Sequence, residues 1–522
     1  MDDTPTAGQS PPRRRLRHRV PTSLRRHWKL LAVFVVFVTI LATVFGATRI
    51  RPYITGDPTI IASEITDNIT GTVDLFDASV PHELSVEITD AEYDEMITAF
   101  QSTGEKKWVT ADVTIDGTLI TDVSVRLKGN STLMGVRGED AGPGGEGFEP
   151  PEGMELPDGF DPAAMGGPGG MSQASEDDPT SLPLLISFDE NAGGRAYQGM
   201  TEISVRPGSP VLNEAMALSL TAETGQPTQR YAYTVYSVND SATTTRLLLE
   251  HPDDTYANSL FDSDGYLYKA DASSRFEYIG DDQSDYADQF EQINAVGTGN
   301  LQPVVSFLKW LDSASDEEFG AHLSEWVDVD SFARYVATQN LLVNGDDMSG
   351  PGQNYYLWYD LQTGKLSVVS WDLNLAMQGD VTTGPHDTVS MTPGAMGGPG
   401  QGEAGTAAAD PGTMPQPRGM LPPGAAAPQG GQGAGRVQSG NSLKTRFLES
   451  DAFTQVYEDA YRDLHEQMYG SGRALEMLDT LVSTVPVSDA LPAASLQSSA
   501  DSMRSWIEQR TAALAELRDR TA

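Results

Sequence analysis

Two tracts decide which parts of this chain can build a core. Residues 138–170 hold 17 Gly or Pro in 33, and residues 393–435 hold 21 in 43. Both carry the string Met-Gly-Gly-Pro-Gly, at 165–169 and at 396–400, and neither has apolar periodicity. Such segments cannot bury enough surface to offset the entropy of ordering them. They are expected to be disordered insertions, bounded at 138–180 and 387–440, that interrupt a single folding unit. GPGGEG at 142–147 is a formal GxGxxG, but it neither follows a strand nor opens a helix and carries no nucleotide-binding signal.

The charge is segregated. The chain has 522 residues, with 74 acidic against 34 basic side chains and a net charge of −40. Residues 1–29 hold eight of the basic residues and two acids, which leaves −46 beyond them. Between the two blocks, Leu30 to Thr48 is a 19-residue run without a charge. At about 1.5 Å per residue it spans about 29 Å, enough to cross a bilayer core. Basic flanks stay in the cytoplasm, so residues 1–29 are expected as a cytoplasmic tail and 30–48 as a single-pass anchor in the cell membrane. The other reading is a cleaved signal peptide. The run is longer than a usual h-region and no A-x-A site follows it, which favours the anchor. The folded part, 56–520, would then lie outside the cytoplasm.

Several chemistries are excluded or disfavoured. There is no cysteine, so disulfide, thiol and Cys-based metal chemistry are absent. The seven His are scattered with no HExxH, which argues against zinc hydrolysis. No GxSxG occurs. A polyanion of this size repels nucleic-acid phosphate, so no nucleic-acid partner is expected. A glycosidase pair of acids stays open, because nothing in the sequence fixes their separation.

Outside the tracts the pattern is strands first and helices later, an α+β arrangement with a sheet-rich N-terminal lobe and a helical C-terminal lobe. Val109 to Ile115 alternates, Asp116-Gly117 is a hairpin signal, and 123–128 alternates again. The second alternation puts Val123, Val125 and Leu127 on one face and Arg126 and Lys128 on the other. A helix is expected from an N-cap at Ser209, with Pro210 at its first position and Gly225 as its stop. Strands follow near 231–238 and 246–250. Helices are expected at about 303–312, 331–343, 444–469 and 490–519.

The most informative segment is 328–377. An amphipathic helix at 331–343 runs into the polar loop Asn344-Gly345-Asp346-Asp347-Met-Ser-Gly-Pro-Gly-Gln-Asn354, which cannot continue it. Tyr355 to Tyr359 and Lys365 to Trp371 read as a hairpin that returns Asp372 beside that loop. Asp346, Asn354 and Asp372 are hard oxygen donors, the kind that hold Mg²⁺ together with substrate phosphates. One Asp could instead take a proton from an acceptor hydroxyl. Capping of turns by Asp346, Asp347 and Asn354 is the plainer alternative. Against it, Asp372 follows an apolar strand, where a carboxylate is expensive unless paired.

Three strings now resemble one family: VRLKGNST at 125–132, NGDDMSGPGQNYYLWYD at 344–360 and VVSWDLNLAM at 368–377. They are similar, in order, to the blocks of the CotH kinase family, named for spore coat protein H. LLISFDENAGGRAYQGMTEISV at 184–205 and GYLYKAD at 265–271 also fit. The resemblance implies an atypical protein-kinase-like fold. The activity it implies is transfer of the γ-phosphoryl of ATP, with Mg²⁺ or Mn²⁺, to Ser or Thr of a surface or envelope protein. Asp346 then resembles the catalytic-loop Asp, Asn354 that loop's metal ligand, and Asp372 the metal-binding Asp of a DFG-like element.

The chain departs from the family pattern in three places. The loop Asn lies eight residues after Asp346, which leaves Asp346 and Asp347 both open as the catalytic acid. Asn374 stands where a second acid is common, and no Lys precedes the strand at 184–188. The nucleotide cation would then be Lys128 or Lys269. Lys128 is preferred because it lies on the face away from the core. Glu214 could pair with Lys128 or stand as an exposed helix residue, and Arg126 and Asn130 could line the same site or support the turn. A CotH-like surface adhesin or envelope scaffold without activity, and transfer of a different nucleotide moiety, are the alternatives.

Overall fold

Alternating apolar residues in the first half of the chain close on themselves. The computed structural model describes residues 65–129 except 79, 131–136, 174–389 except 273 and 296–299, and 441–521. The expected tail, the anchor at 30–48, Asn130 and most of both insertions lie outside the described residues. Among the described residues, no helix is long and apolar enough to cross a membrane.

The first elements are β1 (Asp67–Ile69), β2 (His82–Ile88), α1 (Asp90–Thr103), β3 (Val109–Ile115), β4 (Thr118–Leu127), β5 (Leu184–Ser187), β6 (Arg195–Tyr197) and β7 (Glu202–Val205). Then come α2 (Leu212–Glu223), β8 (Tyr231–Val238), β9 (Thr244–Glu250) and α3 (Tyr256–Leu260). Seven strands form a closed barrel in the order β2-β3-β4-β5-β7-β9-β8, with β2 and β8 parallel at the closure. Its interior is the inward half of each alternation: Leu84, Val86, Val113, Val123, Val125, Leu127, Ile186, Ile203 and Val205 are all buried in one cluster. The Asp116-Gly117 turn has φ of 49° and 79°, the left-handed pair that a two-residue hairpin requires.

The second region contains β10 (Gly265–Ala270), β11 (Phe290–Gln292), α4 (Gln302–Ser313), α5 (Asp316–His322), α6 (Val329–Leu341), β12 (Tyr355–Asp360) and β13 (Leu366–Ser370). It ends with α7 (Ser442–Glu449), α8 (Thr454–His465), α9 (Arg473–Thr484) and α10 (Ala493–Thr521). A four-stranded sheet, β11-β10-β12-β13, packs with the helices over one large core. That core also takes Tyr233, Leu247 and Leu249 from the outer face of the barrel, so the two regions share apolar surface. The α+β arrangement, β-rich first and helical later, is as expected.

Several local expectations are corrected. Helix α2 does not start at Ser209. The Ser209–Pro210 bond is cis, Val211 sits at φ 42° as the cap, and the helix opens at Leu212. The expected helix at 444–469 is two helices and a π turn at 466–470, because Phe453 turns inward to pack on Phe447 and Phe319. The insertion boundary at 180 is too late. Asp178 caps a turn at 179–181, and the Thr180 carbonyl accepts from the buried Arg246 guanidinium, 2.9 Å from Nε. A buried cation needs such acceptors, so the barrel orders this stretch. The boundary at 387 is slightly early, since Asp387 Oδ2 accepts from the Gly384 amide at 2.7 Å. Helix α1 was not expected, although Thr89 caps it through the Glu92 amide and Gly104 ends it at φ 75°.

Candidate active site

The outer face of β4, β5 and β7 carries polar groups, and the second region covers it. Register places Arg126 opposite Leu185 and Leu185 opposite Ser204. By alternation, Arg126, Glu202, Ser204 and Arg206 share the face that looks away from the barrel core. Lys128 continues it one step past β4, with its amide donating to the Pro183 carbonyl at 2.9 Å. Trp371, at the end of β13, lies over this face: Lys128 Nζ is 5.2 Å from its ring centroid and the His251 ring 6.0 Å.

Lys128 is thus off the barrel core, as expected, and half-buried beside Trp371 of the other region. Burial, then the nearby Arg206 and Lys269, push its pKa down to about 7, while Glu214 and Glu202 pull it partly back. Among the described residues it makes no ion pair. Glu202 is pushed up to about 7, chiefly by burial and against the pull of Arg126 and Lys128. Burial, with Lys128, Lys269 and Arg126, holds His251 well below the usual imidazole range. Arg126 rests over the Trp108 ring at 4.7 Å, and its Nε is buried without a hydrogen-bond partner. Arg126, Lys128 and Lys269 all act on His251 here, and Lys128 has no ion-pair partner among the described residues, an arrangement that an arriving anion would relieve.

One consequence is measurable. A lysine at about 7 gains its proton when an anionic ligand arrives, and Glu202 shifts in the same sense. Affinity for a phosphate-bearing ligand is expected to fall as pH rises from 7 to 9. Titration calorimetry with ATP at pH 8, in buffers of different ionisation enthalpy, should report net proton uptake of roughly one half or more. For the free protein the sign is opposite. Between the lowered folded pKa and the ordinary value near 10.4, the unfolded chain binds the extra proton, so stability from this group rises with pH.

Beside this cluster stands a group that the sequence did not disclose. Arg206 grips Glu214 with two bonds, Nε to Oε2 at 2.6 Å and Nη2 to Oε1 at 2.8 Å. Its Nη2 also donates to Asp372 Oδ1. Glu214 is fully buried on α2 and is neither exposed nor ion-paired with Lys128: the planar fork of Arg206 fits the carboxylate better than a point charge does. Asn213, beside Glu214, donates to the carbonyls of Asn374 and Ala376, so α2 is bonded to the turn after Asp372 at two points. Asp372 itself has φ 52°, a left-handed setting unusual for a residue with a side chain.

The acidic loop follows α6. Asp346 Oδ1 accepts from the Gly352 amide at 2.6 Å and Oδ2 from Asn354 Nδ2 at 3.0 Å. Burial, then the neighbouring Asp347, raise its pKa against those two bonds. The lengthened Gly-Pro-Gly turn has a steric role. A Cβ at Gly350 would lie 2.5 Å from Asp346 Oδ1, and one at Gly352 would lie 2.5 Å from Oδ2. The glycines let the loop wrap the Asp346 carboxylate. Asp347 is engaged differently, with Ser349 N at 2.8 Å on Oδ1 and Lys444 on Oδ2.

The hairpin behaves as expected. Tyr355 pairs with Ser370, which sets Asn354 next to Trp371 and Asp372 just beyond the end of the ladder. Among the described residues, no three His, Asp or Glu side chains converge as a metal cage. Asp372 is bonded to Arg206 and Asn354 to Asp346, so a divalent ion held here would have to take most of its ligands from substrate phosphates and water. Lys269 of β10 adds its charge to Lys128 and His251. Arg206, Glu202, His251 and Lys444 were missed. The one signal for Arg206 was its place two residues past Ser204 on an alternating strand.

Basic side chains between the barrel and the second region, an Asp-Asn loop and a second Asp after a hairpin are the parts from which a kinase-type phosphate site could be built. The CotH kinase protein family model matches residues 209–514, more than half of the chain, and the chain belongs to that family. No curated protein matches it significantly. Membership makes it a CotH-type kinase by family, with ATP as the implied phosphoryl donor.

Proposed function

We propose that this chain is a membrane-anchored, extracytoplasmic kinase that transfers the γ-phosphoryl of ATP to a Ser or Thr hydroxyl of a surface or envelope protein, on an atypical protein-kinase-like fold. The observation that carries this reading is the grouping of Arg126, Lys128 and Lys269 beside the bonded set Arg206–Glu214–Asp372. The anchor and the outward location rest on the charge asymmetry around residues 30–48.

Lys128, with Lys269 and Arg126, binds the phosphates. Asp372 and Asn354 would hold Mg²⁺ or Mn²⁺, which supplies charge neutralisation across the transferred phosphoryl group. Arg206 orients Asp372 and fixes α2 through Glu214. Asp346 takes the proton of the acceptor hydroxyl as its oxygen bonds to the γ-phosphorus. The bond from that phosphorus to the bridging oxygen breaks and ADP leaves.

Asp372→Ala is expected to lower label transfer from γ-labelled ATP, measured on the chain itself and on candidate envelope proteins, by about 10³-fold or more. Undiminished transfer would overturn the assignment. Millimolar ATP with Mg²⁺ should also raise the melting temperature of the wild-type protein, since it binds only the folded state.

A further inference from the structure

We infer that Lys444 is a positioning residue for phosphoryl transfer: by cancelling the charge of Asp347 and tying it into the loop wall, it leaves Asp346 as the proton acceptor. This rests on the kinase reading above. The adjacent acids are not equivalent. Among the described residues, the donors on Asp346 are neutral: the Gly352 amide and the Asn354 side chain. Asp347 has one oxygen on the Ser349 amide and the other on Lys444, and its side chain is 4 % exposed. A carboxylate that buried is costly without a cation.

The cation comes from 97 residues further on, beyond the second Gly/Pro-rich tract. Lys444 lies in the first turn of α7. Asn441 caps that turn by accepting from the amides of Leu443 and Lys444. The Asn441 amide in turn donates to Ser349 Oγ at 3.4 Å, so α7 is bonded to the acidic loop at two points. The loop is held from its other side by Tyr335, whose hydroxyl accepts from the Met348 amide at 3.2 Å. Without Lys444, Asp347 would set a bare negative charge one residue from the proton acceptor and repel the incoming γ-phosphoryl group. The proposed phosphate-binding cations, Lys128 just past β4 and Lys269 on β10, lie elsewhere. Loss of Lys444 should therefore touch turnover and leave nucleotide binding nearly alone.

The test measures label transfer from γ-labelled ATP to the chain itself or to water, with ATP affinity by calorimetry, on the full chain. Lys444→Met is expected to lower kcat roughly 10- to 100-fold, with ATP affinity changed less than about threefold. Lys444→Arg should recover most of the rate. Asp347→Asn combined with Lys444→Met should recover at least about tenfold over Lys444→Met alone, because the uncompensated charge is gone. Three results overturn the inference: full activity in Lys444→Met, equal losses in kcat and ATP affinity, or a double variant no better than the single one. The last would make Asp347 the proton acceptor. If wild-type protein neither binds nor turns over ATP, the kinase reading fails and this inference fails with it; failure confined to the Lys444 variants removes the inference alone.

Discussion

Arg206→Met should cost about 3–5 kcal/mol of folding stability and abolish phosphoryl transfer. Glu214 has no other cation bonded to it among the described residues, and its side chain is 1 % exposed. Removing the guanidinium leaves a buried carboxylate without its two charge-assisted bonds, and Asp372 loses the donor on Oδ1. The cost is mainly the unpaired charge, so the pair as a whole is worth much less than the single variant suggests. Arg206→Met with Glu214→Met should regain most of the stability, to within roughly 2 kcal/mol of wild type, while activity stays lost. Urea unfolding at constant m-value separates the two effects. A single variant within about 1 kcal/mol of wild type would mean that water, not Arg206, surrounds Glu214 in solution.

Arg510→Met should destabilise the protein by about 3 kcal/mol, far from the candidate site in sequence but not in effect. This arginine, on α10, is fully buried. It donates to the carbonyls of Val381 at 2.8 Å, Thr383 at 2.6 Å, Asn340 at 3.1 Å and Leu341 at 3.3 Å. Asn340 and Leu341 end α6, where carbonyls have no partner within the helix and the dipole favours a cation. Methionine fills the volume but satisfies none of the four. Hydrogen exchange over 340–347 should accelerate in the variant, because the acidic loop begins where Arg510 holds the helix end. Unchanged exchange there, with a stability loss under about 1 kcal/mol, would show that the helix end is held by other groups.

Local pattern was legible wherever one strand or one turn decides the outcome. Val123, Val125 and Leu127 went inward because side chains alternate along a strand whatever it pairs with. Asp116-Gly117 and the hairpin from Tyr355 to Ser370 formed as read, because turn chemistry is set by the residues themselves. The helix after Ser209 starts two residues later than its cap signal says, because cap residues state a preference and neighbouring chain decides whether it is used. The single helix read at 444–469 broke because Phe453 is better placed in an aromatic cluster than on a continuous helix face.

What the amino-acid order determined by itself is the inventory: several alternating strands of a sheet-rich lobe, an acidic loop ahead of a hairpin, and two tracts that cannot form a core. Those properties depend on backbone geometry and on neighbours a few residues away. Which charges meet was decided only in three dimensions. Arg206 and Asp372 are 166 residues apart, Lys444 and Asp347 97, Arg510 and Asn340 170. Lys128, exposed if the barrel stood alone, is half-buried because Trp371 of the second region lies over it. The strength of a charge pair depends on the water removed around it, and that is set by which surfaces dock, a property no local stretch of sequence carries.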